Sequence, residues 1–263
     1  MRSKKIKNGK LYLIILTFIF VVIVTYAFLV TKIEAPNVPP EILAQQKIEE
    51  QARIANEETY TIINRSTIVP TNILNKNKIV LLTIDDGPSS RTLQIIDILK
   101  KHNAKAIFFV NGMHDSANAG VIEQTAKEGF AVGNHTWDHL NLKKEEDVNI
   151  IEKEINKDSE LINKLTGSFP RFFRAPYGES NTYIRKLAKD KGMIFMDWSG
   201  AAKDWEKSTI EKDIFINNVT NNLHSGSIIL IHEHPWSLAN LDALLTTLES
   251  DGYTYVDPKN IIE

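Results

Sequence analysis

Cysteine is absent from the 263 residues of this chain. This absence excludes disulfide bonds, thiolate metal sites and cysteine nucleophiles, and it leaves histidine and carboxylate side chains as the candidate metal ligands. A surplus of charge is also missing, because 31 Lys and Arg residues face 33 Asp and Glu residues, for a formal net charge of −2. Without a basic surplus or a basic repeat, we expect no nucleic-acid partner.

Nucleotide-binding motifs are missing as well, since no GxGxxG or GxxxxGK sequence follows the first strand predicted below, and we expect no nucleotide site. What the chain does contain is enough apolar residues, 43% in total, to bury one full-sized core. The composition therefore predicts one folded domain rather than two large ones.

One uncharged run, Leu11 to Val30, has about the 20 residues needed to cross a bilayer core and predicts a transmembrane helix. Basic residues concentrate just before it, at Arg2, Lys4, Lys5, Lys7 and Lys10. The positive-inside rule then predicts a cytoplasmic N-terminus and an extracellular remainder, that is, a single-pass protein of the cell membrane. A cleaved signal peptide is the alternative, although only Ile33-Glu34-Ala35 resembles a cleavage site.

The chain divides into four predicted parts. These are a cytoplasmic basic N-terminus (1–10), a transmembrane anchor that contacts the lipid bilayer (11–30), a spacer (31–77) and a folded domain (78–263). The spacer is polar and contains the break Pro36-Asn37-Val38-Pro39-Pro40. Residues Glu41 to Glu58 could form a short helix within it, and we assign no chemistry to that segment.

From Lys78 onward, short β-branched runs alternate with longer amphipathic stretches. The predicted strands cover residues 79–84, 106–110, 130–132, 171–174, 193–196, 227–231 and 253–256, and the predicted helices cover residues 93–99, 121–126, 145–165, 183–188, 210–223 and 238–248. This alternation predicts an α/β fold with a parallel sheet and helices outside it, either an open doubly wound sheet or a barrel.

Several polar residues follow these strands, at the edge where α/β folds place their sites. Asp85 and Asp86 end the first strand. Because neighbouring side chains of an extended segment point opposite ways, one carboxylate could bind a metal ion and the other could act on a water molecule. Turn formation or helix capping is the alternative for both.

His135 and His139 follow another strand, and on a helical turn their spacing would put both imidazoles on one face as metal ligands. Two histidines and one aspartate leave positions open for water, which is typical of a catalytic site. A buried, hydrogen-bonded histidine is the alternative for either one.

His232 ends the strand 227–231, where an imidazole is suited to donating a proton to a leaving group. His234 is interpreted as a loop histidine. Arg174 precedes the turn Ala175-Pro176-Tyr177-Gly178, where an arginine could hold a catalytic carboxylate and a backbone N–H could face an oxyanion.

Taken together, these residues resemble the polysaccharide deacetylase family, which carries the NodB homology domain and is carbohydrate esterase family 4. The resemblance runs from about Lys78 to the C-terminus. Five segments resemble the family's five motifs, in the family's order: Thr83-Ile84-Asp85-Asp86-Gly87-Pro88, His135-Thr136-Trp137-Asp138-His139, Arg174-Ala175-Pro176-Tyr177-Gly178, Asp204-Trp205 and Leu230-Ile231-His232. The resemblance implies a distorted (β/α) barrel of the NodB homology type, preceded here by the predicted transmembrane helix.

The resemblance also implies a role for each matched residue. It makes Asp85 the catalytic base, steadied by Arg174, and His232 the general acid, tuned by Asp204. The implied metal ligands are Asp86, His135 and His139. The implied substrate contacts are Tyr177, through its backbone N–H, Pro176 in the same turn, and Trp205 and Leu230 around the acetyl group.

The implied activity is metal-dependent hydrolysis of N-acetyl groups on extracellular glycan, with N-acetylglucosamine of peptidoglycan as the leading substrate. N-acetylmuramic acid, chitin-like oligosaccharides and acetylxylan are the alternatives within this class. Zinc is the first choice of metal, and cobalt, nickel and manganese suit the same ligands. A metal-dependent phosphoesterase would need more clustered carboxylates or basic phosphate clamps than the sequence contains.

One position departs from the family pattern. Ala201 stands where the fourth motif usually begins with Asp, in Ala201-Ala202-Lys203-Asp204-Trp205. Because Asp204 is kept beside the tryptophan, we expect the chemistry to survive with an altered groove or substrate preference. The alternative is a glycan-binding protein that keeps the fold and has lost efficient catalysis.

Overall fold

Strands and helices alternate along most of the chain in the computed structural model, which describes Pro39, Ile42 and residues 58–262. The predicted basic N-terminus, the transmembrane segment and most of the spacer lie outside the described residues. Within the described part, no helix is both long enough and apolar enough to cross a membrane.

The elements confirm the predicted α/β alternation from Lys78 onward. The strands are β1 Tyr60–Ile63, β2 Thr67–Pro70, β3 Lys78–Gly87, β4 Ala106–Val110, β5 Ala131–Asn134, β6 Phe172–Phe173, β7 Ile194–Phe195, β8 Gly200–Ala201, β9 Ser227–His232 and β10 Tyr253–Tyr255. The α-helices are α1 Thr92–Lys101, α2 Val121–Lys127, α3 Val148–Thr166, α4 Thr182–Asp190, α5 Lys212–Thr220 and α6 Pro235–Ser250. Short 3₁₀ helices occupy Gly112–Ala117, Pro176–Gly178, Lys207–Ile210 and Pro258–Asn260.

The strands form one sheet in the order β1-β2-β9-β3-β4-β5-β6-β7, with β8 paired to β9 and β10 paired to β3. All pairs from β3 to β10 are parallel. The segment Met196–Ser199 leads from β7, beside β6, to β8, beside β9, and so links two distant parts of the sheet. The sheet is therefore curled into a half-barrel. This confirms the prediction of a distorted, barrel-like α/β fold.

The folded unit begins before Lys78, because the described residues from 58 onward all belong to it. Strands β1 and β2 form an antiparallel hairpin that joins β9 through Thr67 and Ser227. Tyr60 and Ile68 bury their side chains in the core, at 2% and 1% exposure. Residues 58–77, assigned above to the spacer, thus belong to the same compact unit as the rest of the domain, and Tyr60 and Ile68 anchor them in its core.

The two faces of the sheet bury separate groups of apolar side chains. On β3, Leu82 and Ile84 pack toward the outer helices, whereas Ile79 and Leu81 pack inside the curl. The period of two along a strand then places Thr83 and Asp85 on the inner face. The same alternation on β9 places Ile228, Leu230 and His232 on the inner face. Polar residues at the ends of both strands therefore meet at one mouth of the curl.

Candidate active site

Asp85 and Asp86 reach the same site through a local irregularity of β3. The strand register shifts between Asp85 and Gly87, and Asp86 has a φ of 67°, in the left-handed region that few residues other than glycine adopt. This bulge turns Asp86 toward the side that Asp85 faces, and His135 Nε2 lies 3.7 Å from Asp85 Oδ2 and 3.5 Å from Asp86 Oδ1. The prediction that the two carboxylates point opposite ways is therefore wrong, because it assumed an ideal strand.

His135 and His139 are brought together by a loop. The predicted helical turn is wrong, since Thr136 and His139 have φ values of 70° and 62° and the segment after β5 is irregular. Asn134 holds this loop by accepting the Thr136 N–H at 2.9 Å while its side-chain amide donates to Ile155 O on α3. The imidazole rings nevertheless face each other, with centroids 4.9 Å apart.

The three predicted metal ligands converge on one point. One ligand atom each from Asp86, His135 and His139 lies within 4.8 Å of the others. His139 Nε2 lies 3.3 Å from Asp86 Oδ1, and His135 Nε2 lies 3.5 Å from the same oxygen. Asp86 Oδ1 is buried and has no hydrogen-bond partner among the described residues. A buried oxygen without a proton donor costs free energy unless a cation compensates it.

The protonation state of His135 supports the same conclusion. Its Nδ1 lies 2.8 Å from the Arg174 carbonyl oxygen, which can only accept, so Nδ1 carries the proton. Burial lowers the pKa of His135 to about 3, and the ring is neutral at pH 7. Nε2 then presents a lone pair toward Asp86 Oδ1. Two acceptors facing each other fit a divalent cation held between them.

Arg174 is a fully buried side chain that holds Asp85. Its Nη1 donates to Asp85 Oδ1 and to Thr83 Oγ1, each at 2.8 Å, and its Nη2 donates to the Asp197 carbonyl oxygen at 3.0 Å. Burial raises the pKa of Asp85, and the charge of the guanidinium opposes that rise. Asp85 thus points into the site in a single orientation beside the three converging ligands.

His232 and Asp204 form a second charged pair. Asp204 Oδ1 lies 2.7 Å from His232 Nδ1, and Asp204 Oδ2 accepts the His232 backbone N–H at 2.6 Å and the Ser237 hydroxyl at 2.6 Å. Burial lowers the pKa of His232, but the hydrogen bond and charge of Asp204 raise it more, to about 9. The ring is therefore protonated at pH 7, and its Nε2 lies 3.9 Å from Asp86 Oδ2.

A cavity of about 480 Å³ opens above these groups. Its walls carry ten residues, namely Asp85, Asp86, His135, His139, Ala175, Tyr177, Trp198, Trp205, His232 and His234. The side chains of Tyr177 and Trp205 are 62% and 51% exposed, so two aromatic rings flank the opening. Such concave sites with apolar walls and a few polar groups are typical of small-ligand and sugar binding.

Two predicted substrate contacts are not part of this wall. Leu230 is 2% exposed and lies on the inner face of β9 two residues before His232, about 7 Å deeper along the strand. Pro176 is also buried. Both side chains are therefore buried outside the cavity wall, and the cavity does not support either predicted contact.

Comparisons with known proteins agree with the geometry. A sequence profile described as "Polysaccharide deacetylase" matches residues 73–196. A peptidoglycan-N-acetylglucosamine deacetylase of Bacillus cereus is 31% identical over 195 residues, which cover 72% of this chain and 90% of that protein. The chain belongs to the polysaccharide deacetylase family.

Other members of the polysaccharide deacetylase family differ in length or activity. The peptidoglycan-N-acetylglucosamine deacetylase PgdA of Listeria monocytogenes is 32% identical over 89% of this chain, and the match spans about half of that protein, 49%. The crystal structure of a CE4 family pseudoenzyme from Bacillus anthracis is similar to this chain with a TM-score of 0.65 and 29% sequence identity. The match covers 70% of this chain and 65% of the pseudoenzyme chain.

Sequence reasoning assigned no site role to three residues of the cavity wall in this polysaccharide deacetylase fold, namely Ala175, Trp198 and His234. Trp198 lies in the segment that crosses from β7 to β8, and it packs so closely against Gly178 that a Cβ atom at this position would come within 2.7 Å of the ring. His234 was interpreted as a loop residue. The available signals were a tryptophan in a polar stretch and a second histidine near His232. Without the fold, neither signal shows that the side chain points into the cavity.

Proposed function

We propose that this chain is a metal-dependent polysaccharide N-deacetylase that removes acetyl groups from N-acetylglucosamine of peptidoglycan. One observation carries the proposal. The converging atoms of Asp86, His135 and His139 lie beside a buried carboxylate, Asp85, and beside a protonated imidazole, His232. A metal site, a base and an acid around one cavity are the groups that amide hydrolysis requires.

A divalent cation fits the three ligands because Asp86 Oδ1 is buried without a proton donor and His135 Nε2 is unprotonated. Zinc is the first candidate, since two imidazoles and one carboxylate form a common catalytic zinc set. Cobalt, nickel and manganese suit the same ligands. When bound, the cation would act as a Lewis acid that lowers the pKa of water and polarises the acetyl carbonyl.

Two side chains of this protein then carry out separate proton transfers. Asp85, oriented by Arg174, accepts a proton from the attacking water while the water oxygen forms a bond to the acetyl carbon. Tyr177 lies in the turn at the cavity wall, and its backbone N–H would donate to the developing oxyanion. His232, held by Asp204, protonates the sugar nitrogen as the C–N bond breaks, which yields acetate and a free amine.

The substrate assignment combines family and predicted location. The Listeria and Bacillus relatives are peptidoglycan-N-acetylglucosamine deacetylases by name, which supports the same substrate here. The sequence of residues 11–30 supports a membrane anchor with the domain outside the cell, next to the wall. Trp205 and Tyr177 would flank the bound sugar at the mouth of the cavity.

Acetate release tests the proposal. The purified full chain is incubated with peptidoglycan, with chitopentaose and with acetylxylan, first with a chelator and then with added Zn²⁺, Co²⁺, Ni²⁺ or Mn²⁺. We expect acetate from peptidoglycan, loss of release with the chelator and recovery with at least one metal. Release from acetylxylan alone would instead assign an esterase, and no release with any metal would contradict the proposal.

A second candidate is glycan binding without efficient turnover. Two observations favour it, the substitution Ala201 in the fourth motif and the likeness to a CE4 family pseudoenzyme. In the acetate experiment this candidate predicts binding of the chain to peptidoglycan with no release. The intact geometry of Asp85, the three ligands and His232 with Asp204 favours the enzyme.

A further inference from the structure

His234 is a cavity-lining histidine to which the mechanism above gives no role. It lies on the same wall as His232, and the two rings have centroids 5.9 Å apart. Among the described residues, no side chain or backbone group forms a hydrogen bond with either of its ring nitrogens, so both remain available to a ligand. The side chain is half-buried and thus already ordered at the edge of the cavity.

His234 stands at the start of α6, but its side chain does not cap this helix. His234 is the N-cap residue of this helix, and its side chain makes no capping hydrogen bond. N-cap positions favour Ser, Thr, Asp or Asn, whose short side chains bond the free backbone N–H groups of the first turn. A histidine that does not cap the helix therefore leaves the helix start less stable than one of these residues would. Its ring instead forms part of the cavity wall.

The ring is held in place by Trp236. The two rings stack with centroids 4.6 Å apart and an interplanar angle of 14°. Trp236 Nε1 donates in turn to the backbone carbonyl oxygen of Asp204 at 2.8 Å. Asp204 thus fixes the general acid through its carboxylate and fixes the stacked pair through its carbonyl, and the positions of His232 and His234 are linked.

The chemistry of His234 suits a neutral polar ligand. Burial lowers its pKa, the charge of Asp204 opposes this effect and the charge of His232 adds to it, with a net lowering that leaves the ring neutral near pH 7. A neutral imidazole offers one N–H donor and one acceptor, the pair of groups that a sugar hydroxyl can satisfy at once. An anionic ligand would gain no charge pairing from this ring.

We propose that His234 is a sugar-binding residue that hydrogen-bonds a hydroxyl group of the glycan beside the acetamido group under attack. This inference rests on the proposed function for the substrate class. Its prediction is that His234 contributes to affinity for glycan, whereas His232 and Asp85 contribute to turnover. A purely structural histidine would contribute only to stability through its stack on Trp236.

The test measures binding and turnover separately, with chitopentaose as the probe. H234F keeps an aromatic ring over Trp236 and removes both hydrogen-bonding nitrogens, whereas H234Q keeps polar groups. We expect H234F to weaken the Kd measured by calorimetry, and to raise KM, by about three- to tenfold, with a smaller change in kcat. H234Q should lie between H234F and the wild type.

H224F is the matched control, because His224 is exposed at the opposite end of β9 and lies outside the cavity. It should bind chitopentaose as the wild type does. Equal Kd and KM in H234F and the wild type, or no binding by a wild-type chain, would overturn the inference. If the wild type binds but releases no acetate, the proposed function fails, while a weaker Kd in H234F still supports the role of His234.

Discussion

At Asp85, two opposing influences act on one carboxyl group. Burial raises its pKa, which favours the neutral acid, and the Arg174 guanidinium lowers it, which favours the base. The same arginine is fully buried and also bonds Thr83 and two backbone carbonyls. Arg174 therefore sets both the orientation of Asp85 and its capacity to accept a proton.

D85N should keep the fold and the metal site and remove the base. Asparagine has the same shape and still accepts a hydrogen bond from Arg174, but it cannot accept a proton from water. We expect kcat for acetate release to fall by about 10²- to 10⁴-fold, with metal content unchanged. D190N is the control, since within residues 58–262 Asp190 pairs only with exposed Lys186 on α4. Full activity in D85N would disprove the base assignment.

The pH dependence of the reaction should report on His232. A general acid acts only when protonated, so activity is retained below its pKa of about 9 and lost as the pH rises through that value. D204N removes the charge that raises this pKa. The alkaline limb of kcat/KM should then move to lower pH by about 1–3 units.

The matched control for D204N is D213N, which changes an exposed carboxylate on α5. Its pH profile should coincide with that of the wild type. An alkaline limb at the same pH in D204N and in the wild type would mean that His232 is not the acid, or that Asp204 does not tune it.

At the scale of elements, the loop with both histidines depends on helix α3. Asn134 accepts the Thr136 N–H, and its amide donates to Ile155 O and to Ser159 Oγ, both at 2.8 Å. A β-branched residue such as Thr136 at a φ of 70° is costly and persists only when its surroundings fix it. The geometry of the metal site is thus secured by contacts between β5 and α3.

N134A should weaken the metal site without touching a ligand. The substitution leaves the buried Thr136 N–H without its acceptor, a loss of about 1–3 kcal/mol in stability. We expect the affinity for Zn²⁺ to fall by about tenfold or more, measured by competition with a chromophoric chelator. N156A on the same helix is the control, because Asn156 makes no side-chain hydrogen bond in the described structure. Unchanged affinity in N134A would contradict this role.

At the scale of the whole molecule, ligands from β3 and from the loop after β5 meet only in the folded state. Metal binding should therefore stabilise the fold, by about 2.7 kcal/mol at a metal concentration 100 times the Kd. For a domain of this size we expect the Tm to fall by about 5–10 °C after removal of the metal by a chelator.

Scanning calorimetry with and without the chelator measures this change in Tm. The same scan of H139A should show no effect of the chelator on Tm, because the site has lost one ligand. Equal Tm values for the wild-type chain with and without metal would contradict a shared site. A chelator effect that persists in H139A would place the bound metal elsewhere.

The sequence alone determined the α/β class and the strand ends that carry Asp85, His135, Arg174 and His232. These features follow from local periodicity, and parallel strands bring their carboxyl ends to one edge. The motif order then pointed to the family, which the comparisons confirm. The roles of the individual side chains remain predictions for the experiments above.

Only the tertiary structure decided how these residues approach one another. Local sequence patterns did not predict three of these features: the bulge at Asp86, the irregular loop of His135 and His139, and the ring of His234 at the cavity wall. The loop depends on Ile155 and Ser159 of α3, which are distant in the chain, and the hairpin of β1 and β2 likewise depends on a distant group, since Arg65 pairs with Asp197 at 2.8 Å. Sequence periodicity reports which face a residue occupies, but the direction of a strained side chain is set by the partners that surround it.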